Sequence, residues 1–146
     1  GHTEMILMTT WGEYQKIGQT REDAVGEAFD KVARLIGLPY PGGPEIGRLA
    51  AIARISNLPP FAPLPRPMLH SGDLDFSFSG LKTAVRYAVA DKTLSEDEKM
   101  SLARDFEDAV VDVLVHKSIK AIKEHLVQSF ILGGGVSANT YLRKAI

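Results

Sequence analysis

The segment of this sequence best suited to hold a small polar ligand is Ile131-Leu132-Gly133-Gly134-Gly135-Val136-Ser137-Ala138-Asn139. It reads as a short buried strand, Ser129 to Leu132, that turns through glycines into a helix. Without Cβ atoms, Gly134 and Gly135 let a ligand approach the backbone closely. The start of the helix adds free N–H groups and a partial positive charge. Asn139 supplies both a donor and an acceptor. A lone glycine pair would read as a packing turn, whereas three glycines followed by Ser-Ala-Asn favour ligand contact. The spacing lacks the G-x-G-x-x-G run of a dinucleotide fold.

Three further groups carry weaker chemistry. Gly26 and Asp30 lie four residues apart in Ala24-Val25-Gly26-Glu27-Ala28-Phe29-Asp30-Lys31, on nearly the same face of a predicted helix. A carboxylate beside a gap suits the hydroxyls of a ribose, against the plainer reading of helix packing and a solvated Asp30. Gly42 and Gly43, set between Pro41 and Pro44, allow close approach at the start of the next helix, or form an ordinary turn. Lys82 falls in the first turn of a predicted helix, where a cation is disfavoured; a phosphate opposite it, or plain solvent, would account for it. His2, His70, His116 and His125 share no helical face, and no metal-ligating set is evident.

The elements that must position these groups follow from periodicity. Residues 4–10 and 13–19 read as a hairpin turning at Gly12. Thr20 reads as the N-cap of a helix whose apolar residues recur at Val25, Ala28, Phe29, Val32, Ala33 and Ile36. A second helix is predicted at about 45–55, and a third starts from Ser77 or Ser79. Ser95 with Glu98 forms a capping box for a fourth, at about 95–126, with a break near His116–Ser118. Five prolines, Pro59, Pro60, Pro63, Pro65 and Pro67, make residues 56–75 an irregular loop. The fold class is α/β and helix-rich, a single partial domain over 1–146. It divides into a hairpin at 1–19, helices with the Pro-rich loop at 20–126, and a strand, glycine turn and helix at 129–146.

The 146 residues include no cysteine, which excludes disulfides and thiolate metal sites and fits a reducing compartment. The net charge of -1 argues against an overall basic nucleic-acid binder, though not against a local patch. No apolar run approaches the length of a membrane span. The chain opens at Gly1-His2-Thr3 without an initiator Met and closes at Ile146 inside a predicted helix, so it reads as a piece of something longer.

Taken in order, the motifs resemble one family. They are Gly1-His2-Thr3, Gly26-Glu27-Ala28-Phe29-Asp30-Lys31, Leu38-Pro39-Tyr40-Pro41-Gly42-Gly43-Pro44 and Pro65-Arg66-Pro67-Met68. Then come Asp75-Phe76-Ser77-Phe78-Ser79-Gly80-Leu81-Lys82-Thr83, Phe106-Glu107-Asp108-Ala109-Val110-Val111-Asp112 and Gly134-Gly135-Val136-Ser137-Ala138-Asn139. The sequence resembles the TsaD family of tRNA N6-adenosine threonylcarbamoyltransferases, once called O-sialoglycoprotein endopeptidases. The resemblance implies an incomplete ribonuclease H-like lobe of the actin, Hsp70 and sugar-kinase type. It implies transfer of threonylcarbamoyl from threonylcarbamoyl-AMP to N6 of adenosine 37 in tRNAs reading ANN codons. By similarity, Gly1 belongs to a phosphate-side loop, Asp30 contacts the ribose, Gly43 lines the nucleotide and Asn139 closes over it. Asp30 and Asn139 are then expected near one another across a cleft, at the C-terminal end of the strand finishing at Leu132.

The family's divalent metal, iron or similar, is implied to bind a histidine pair upstream and an aspartate downstream, so no metal ligand is expected in this chain. The implied partners are tRNA and accessory proteins of the bacterial TsaB and TsaE type, in the cytoplasm and without a membrane. The isolated chain is expected to be inactive. The alternatives are another ATP-binding enzyme of the actin-like fold and a non-catalytic helical module; a protease lacks any nucleophile–base pair.

Overall fold

The apolar run Met5–Met8, a second run of mixed polarity, and Gly12 between them, whose φ is 86°, give an antiparallel hairpin of β1, Glu4–Thr10, and β2, Glu13–Gln19. The computed structural model describes residues 1–146. Register runs from Glu4 opposite Gln19 to Thr10 opposite Glu13, with irregularities after Met5 and after Met8. β1 pairs with β2 alone, so its other edge carries no strand. At the end of β2 the chain instead meets residues 74–76. A Cβ built on Gly18 would stand 2.1 Å from the Leu74 carbonyl oxygen, so only glycine fits there. The Phe76 N–H donates to the Gln19 carbonyl at 2.9 Å, and the Arg21 N–H donates to the Phe76 carbonyl at 2.8 Å. A parallel bridge joins Thr20 to Phe76, and the rings of Phe76 and Phe78 go into the core.

That bridge corrects the expected start of the first helix. With the Arg21 N–H taken by the Phe76 carbonyl, no helix begins at Thr20, and its hydroxyl donates to the carbonyls of Glu22 and Asp23 instead of accepting a helix N–H. α1 runs Val25–Leu35 from Ala24, and Thr3 Oγ1 accepts the Val25 N–H at 2.9 Å. Gly26 therefore lies in the first turn, where a glycine is less costly than in a helix interior. α2 spans Gly42–Ile55, three residues longer at its start than predicted, because Pro44 is tolerated in a first turn. α3 spans Ser79–Val89. α4, Glu96–His125, opens on the complete capping box of Ser95 and Glu98. It continues unbroken through His116–Ser118, over about 45 Å at roughly 1.5 Å per residue. A 3-10 turn, Gly135–Ala138, leads into α5, Thr140–Ala145. No helix is long and apolar enough to cross a membrane.

The core forms where α1, α2 and α4 pack together, with Phe29 and Phe106 edge to face at 5.0 Å between centroids. The Pro-rich loop lies against α4 and is pinned rung by rung. Arg104 donates to the Leu58 carbonyl, and Asp105 Oδ2 accepts the N–H groups of Phe61 and Ala62 at 2.7 and 3.1 Å. Arg66 pairs with Asp112 at 2.8 Å. Lys117, only 1% exposed, donates to Ser71 Oγ at 2.6 Å and to the Asp73 carbonyl at 2.8 Å, while Lys120 reaches the Gly72 carbonyl at 2.7 Å.

The predicted strand at 129–132 is absent. Residues 127–134 adopt no regular structure, and Ile131 is 85% exposed. A strand needs a partner for its N–H and C=O groups. Here β1 and residues 126–136 instead line a cavity of about 900 Å³, with Met5, Leu7, Val25, Phe76 and Leu142 among its walls. The chain is thus a helix-rich α/β arrangement with a two-stranded sheet.

Candidate functional site

Three chain segments meet around the first half of α2. From α1, Asp30 Oδ1 accepts the Gly42 N–H at 2.9 Å, so Asp30 ties α1 to the first turn of α2. The two neighbouring glycines there differ. A Cβ on Gly42 would stand 2.4 Å from Ala33 Cβ and 3.1 Å from the Phe29 carbonyl oxygen, so Gly42 is required by packing. A Cβ on Gly43 would meet nothing within 4 Å, so Gly43 presents backbone to open space at the positive end of α2.

From the C-terminal segment comes the glycine turn. Gly134 has φ 88°, and its carbonyl accepts both the Ser137 N–H at 3.1 Å and the Ser137 hydroxyl at 2.6 Å. Side chains would meet nothing at Gly134 or Gly135 either. The turn sits against α1, since a Cβ on Gly26 would stand 3.7 Å from Val136 Cγ2. Asn139 follows as the N-cap of α5, its Oδ1 accepting the Leu142 N–H at 2.8 Å. A Cβ on Gly47 would lie 3.9 Å from Asn139 Nδ2. Asp30 and Asn139 therefore meet α2 at Gly42 and near Gly47, two positions separated by a rise of about 7.5 Å along the helix at roughly 1.5 Å per residue. The expected strand finishing at Leu132 takes no part in holding them, because it does not form.

Gly1 lies beside the start of α1, where a Cβ on it would stand 3.7 Å from Ala24 Cβ. Lys82 has a carboxylate for company: its Nζ is 3.8 Å from Asp23 Oδ2, while Asp23 Oδ1 holds Lys31 at 2.7 Å. Asp23 Oδ2 is buried and has no hydrogen-bond partner, so Lys82 answers it by charge rather than by a hydrogen bond. That pairing accounts for a cation in a first helical turn without a ligand.

The structure adds residues that periodicity did not single out. Glu107, on the buried face of α4, is 1% exposed. Its Oε2 accepts from Asn139 Nδ2 at 2.8 Å, and its Oε1 accepts from Arg54 at 2.6 Å. Arg54 gives its other nitrogen to Asp108 at 2.6 Å and lies 3.4 Å over the Tyr141 ring. Burial alone would lower the Arg54 pKa, but hydrogen bonds to Asp108 and Glu107 outweigh it and hold the pKa above its usual value. Burial, with the nearby Asp108 charge, raises that of Tyr141. The available signal was a charged residue on the apolar stripe of Ala103, Phe106, Val110 and Leu114.

His, Asp and Glu side chains converge nowhere in a group of three that could hold a metal ion, so these residues do not fit the divalent metal that the resemblance implies. What the site offers is hydrogen bonding: a carboxylate, an amide, bare glycine backbone and a helix N-terminus.

A family model described as TsaD: tRNA N6-adenosine threonylcarbamoyltransferase matches residues 1–146. Curated relatives from Burkholderia ambifaria and Burkholderia cenocepacia, both called tRNA N6-adenosine threonylcarbamoyltransferase, are 52% identical over 153 aligned residues. Each alignment covers 100% of this chain and 43% of the relative, so the chain spans less than half the length of the proteins it matches. Matched along its whole length, the chain belongs to the TsaD family of tRNA N6-adenosine threonylcarbamoyltransferases.

Proposed function

We propose that this chain supplies one wall of the nucleotide site in an enzyme that transfers threonylcarbamoyl from threonylcarbamoyl-AMP to N6 of adenosine 37 in tRNA. The observation that carries the reading is that Asp30 and Asn139 both meet the first half of α2, at Gly42 and near Gly47, with Gly43 bare between those two positions. One Asp30 oxygen is committed to Gly42, and the carboxylate is left as the acceptor for ribose hydroxyls. Gly43 and the positive end of α2 face the phosphate side, as helix N-termini do for anions. Positioning is the contribution these residues make, holding the reacting carbonyl where the adenine amine can attack it.

In this reading the chain is part of a ribonuclease H-like lobe of the actin type. The relatives' name specifies tRNA as their substrate; here tRNA is the proposed acceptor, and proteins of the TsaB and TsaE type are the proposed partners in the cytoplasm. The divalent metal would be held by residues outside this chain.

The test is Asp30→Asn in the full-length enzyme, because an amide keeps the acceptor for Gly42 while removing the charge. AMP binding measured by calorimetry should weaken roughly tenfold or more, the scale of about 1.5–3 kcal/mol for a hydrogen bond to a charged group. The melting temperature should move little. Unchanged AMP affinity would sink the assignment of the ribose to Asp30.

A further inference from the structure

Asn139 is held at both ends of its amide by groups that leave no choice of orientation. The Leu142 N–H can only donate, so it must face Oδ1; the Glu107 carboxylate can only accept, so it must face Nδ2. An amide nitrogen carries two hydrogens, and Glu107 is the one protein partner of Nδ2. The second N–H has no protein partner, and Nδ2 lies beside Gly47, where a Cβ would stand 3.9 Å from it and 3.6 Å from Glu107 Oε2. Glu107 is itself fixed, since Arg54 takes its other oxygen and is braced by Asp108 and the Tyr141 ring.

We infer that Glu107 is a positioning residue that turns Asn139 so that an N–H donor, not the carbonyl, meets the nucleotide. The inference rests on the nucleotide reading above. It adds that the ligand atom opposite Asn139 is an acceptor: a phosphate, carbonyl or ring oxygen or an unprotonated ring nitrogen, not a hydroxyl acting as donor. Glu107 and Arg54, 32 and 85 positions before Asn139, would thus set the polarity of the site.

Reversing the polarity of the pair separates positioning from mere support. In the full-length enzyme, Glu107→Gln alone should weaken AMP binding roughly tenfold and lower the melting temperature. Adding Asn139→Asp restores a hydrogen bond of opposite sense: the glutamine donates, and the aspartate still accepts the Leu142 N–H. The double variant should regain most of the melting temperature yet leave AMP binding as weak as, or weaker than, in the single variant, because only an acceptor now faces the nucleotide. If AMP affinity returns together with thermal stability, Glu107 only supports the fold and the inference falls. It falls equally if Glu107→Gln leaves AMP affinity unchanged while Asn139→Ala weakens it. If Asn139→Ala and Asp30→Asn both leave AMP affinity unchanged, the nucleotide reading itself is wrong, and the inference goes with it.

Discussion

Residues 56–75 and residues 127–134 exchange the characters their sequences suggest. The first has five prolines and no periodicity, yet it is fastened along α4 from Leu58 to Asp73. The second has the apolar run and glycine turn of a strand entering a helix, yet Ile131 stands in solvent and no ladder forms. The difference lies in where each keeps its partners. The loop from Leu58 to Gly72 is held by side chains of α4, and Arg104, Asp105, Asp112, Lys117 and Lys120 are all present in this chain. A strand needs a second backbone, and nothing bridges the cavity to β1. Order follows satisfied N–H and C=O groups more closely than it follows local pattern.

The comparison breaks most directly at Lys117. Replacing it by Met removes the donor that holds Ser71 and the Asp73 carbonyl. A loss of about 2–3 kcal/mol is expected in urea unfolding, the scale of hydrogen bonds to a charged group. Stability within about 0.5 kcal/mol of the parent would mean the prolines order the loop unaided.

A smaller effect is expected from acid. The Ser71 hydroxyl, then the Asp75 N–H and the Lys117 ammonium, lower the Asp73 pKa from 3.8 to about 2. A carboxylate with a depressed folded pKa stabilises fully above its unfolded value and loses that contribution as pH falls through the folded one. The advantage of the parent over Asp73→Asn should therefore hold above pH 3.8 and fade toward about 2, followed by unfolding midpoints across that range. A constant difference would show that this carboxylate does not fasten the loop through its charge.

The smallest effect sharpens the other side. Ile131→Ser should change stability by no more than about 0.5 kcal/mol, as for an ordinary surface site. The amides of residues 130–133 should exchange rapidly with solvent, while those of Phe61 and Ala62, bound to Asp105, are slowed. Slow exchange at 130–133 would place a strand there after all.

What the sequence disclosed follows the same division. The hairpin, α4 and its Ser95–Glu98 cap were legible because each is closed by residues within a few positions of one another. Asp30 and Asn139 stood out by residue type and by family resemblance, but their shared frame around α2 depends on contacts 12 and 32 positions long. Thr20 misled because Phe76, remote in sequence, bridges it and takes the next N–H, that of Arg21. Glu107 was not singled out, because its hydrogen bond to Asn139 spans 32 positions.

The fastening of the loop to α4 also bears on how the chain folds. Its rungs join residues 43 to 48 positions apart, almost the same separation every time. Closing the first rung carries the entropy of a long loop, which grows only slowly with length. Every later rung then closes a gap of a few residues. The contacts are long-range in sequence but behave kinetically like a zipper, started once and propagated locally, so the slow growth expected of distant contacts is confined to a single event.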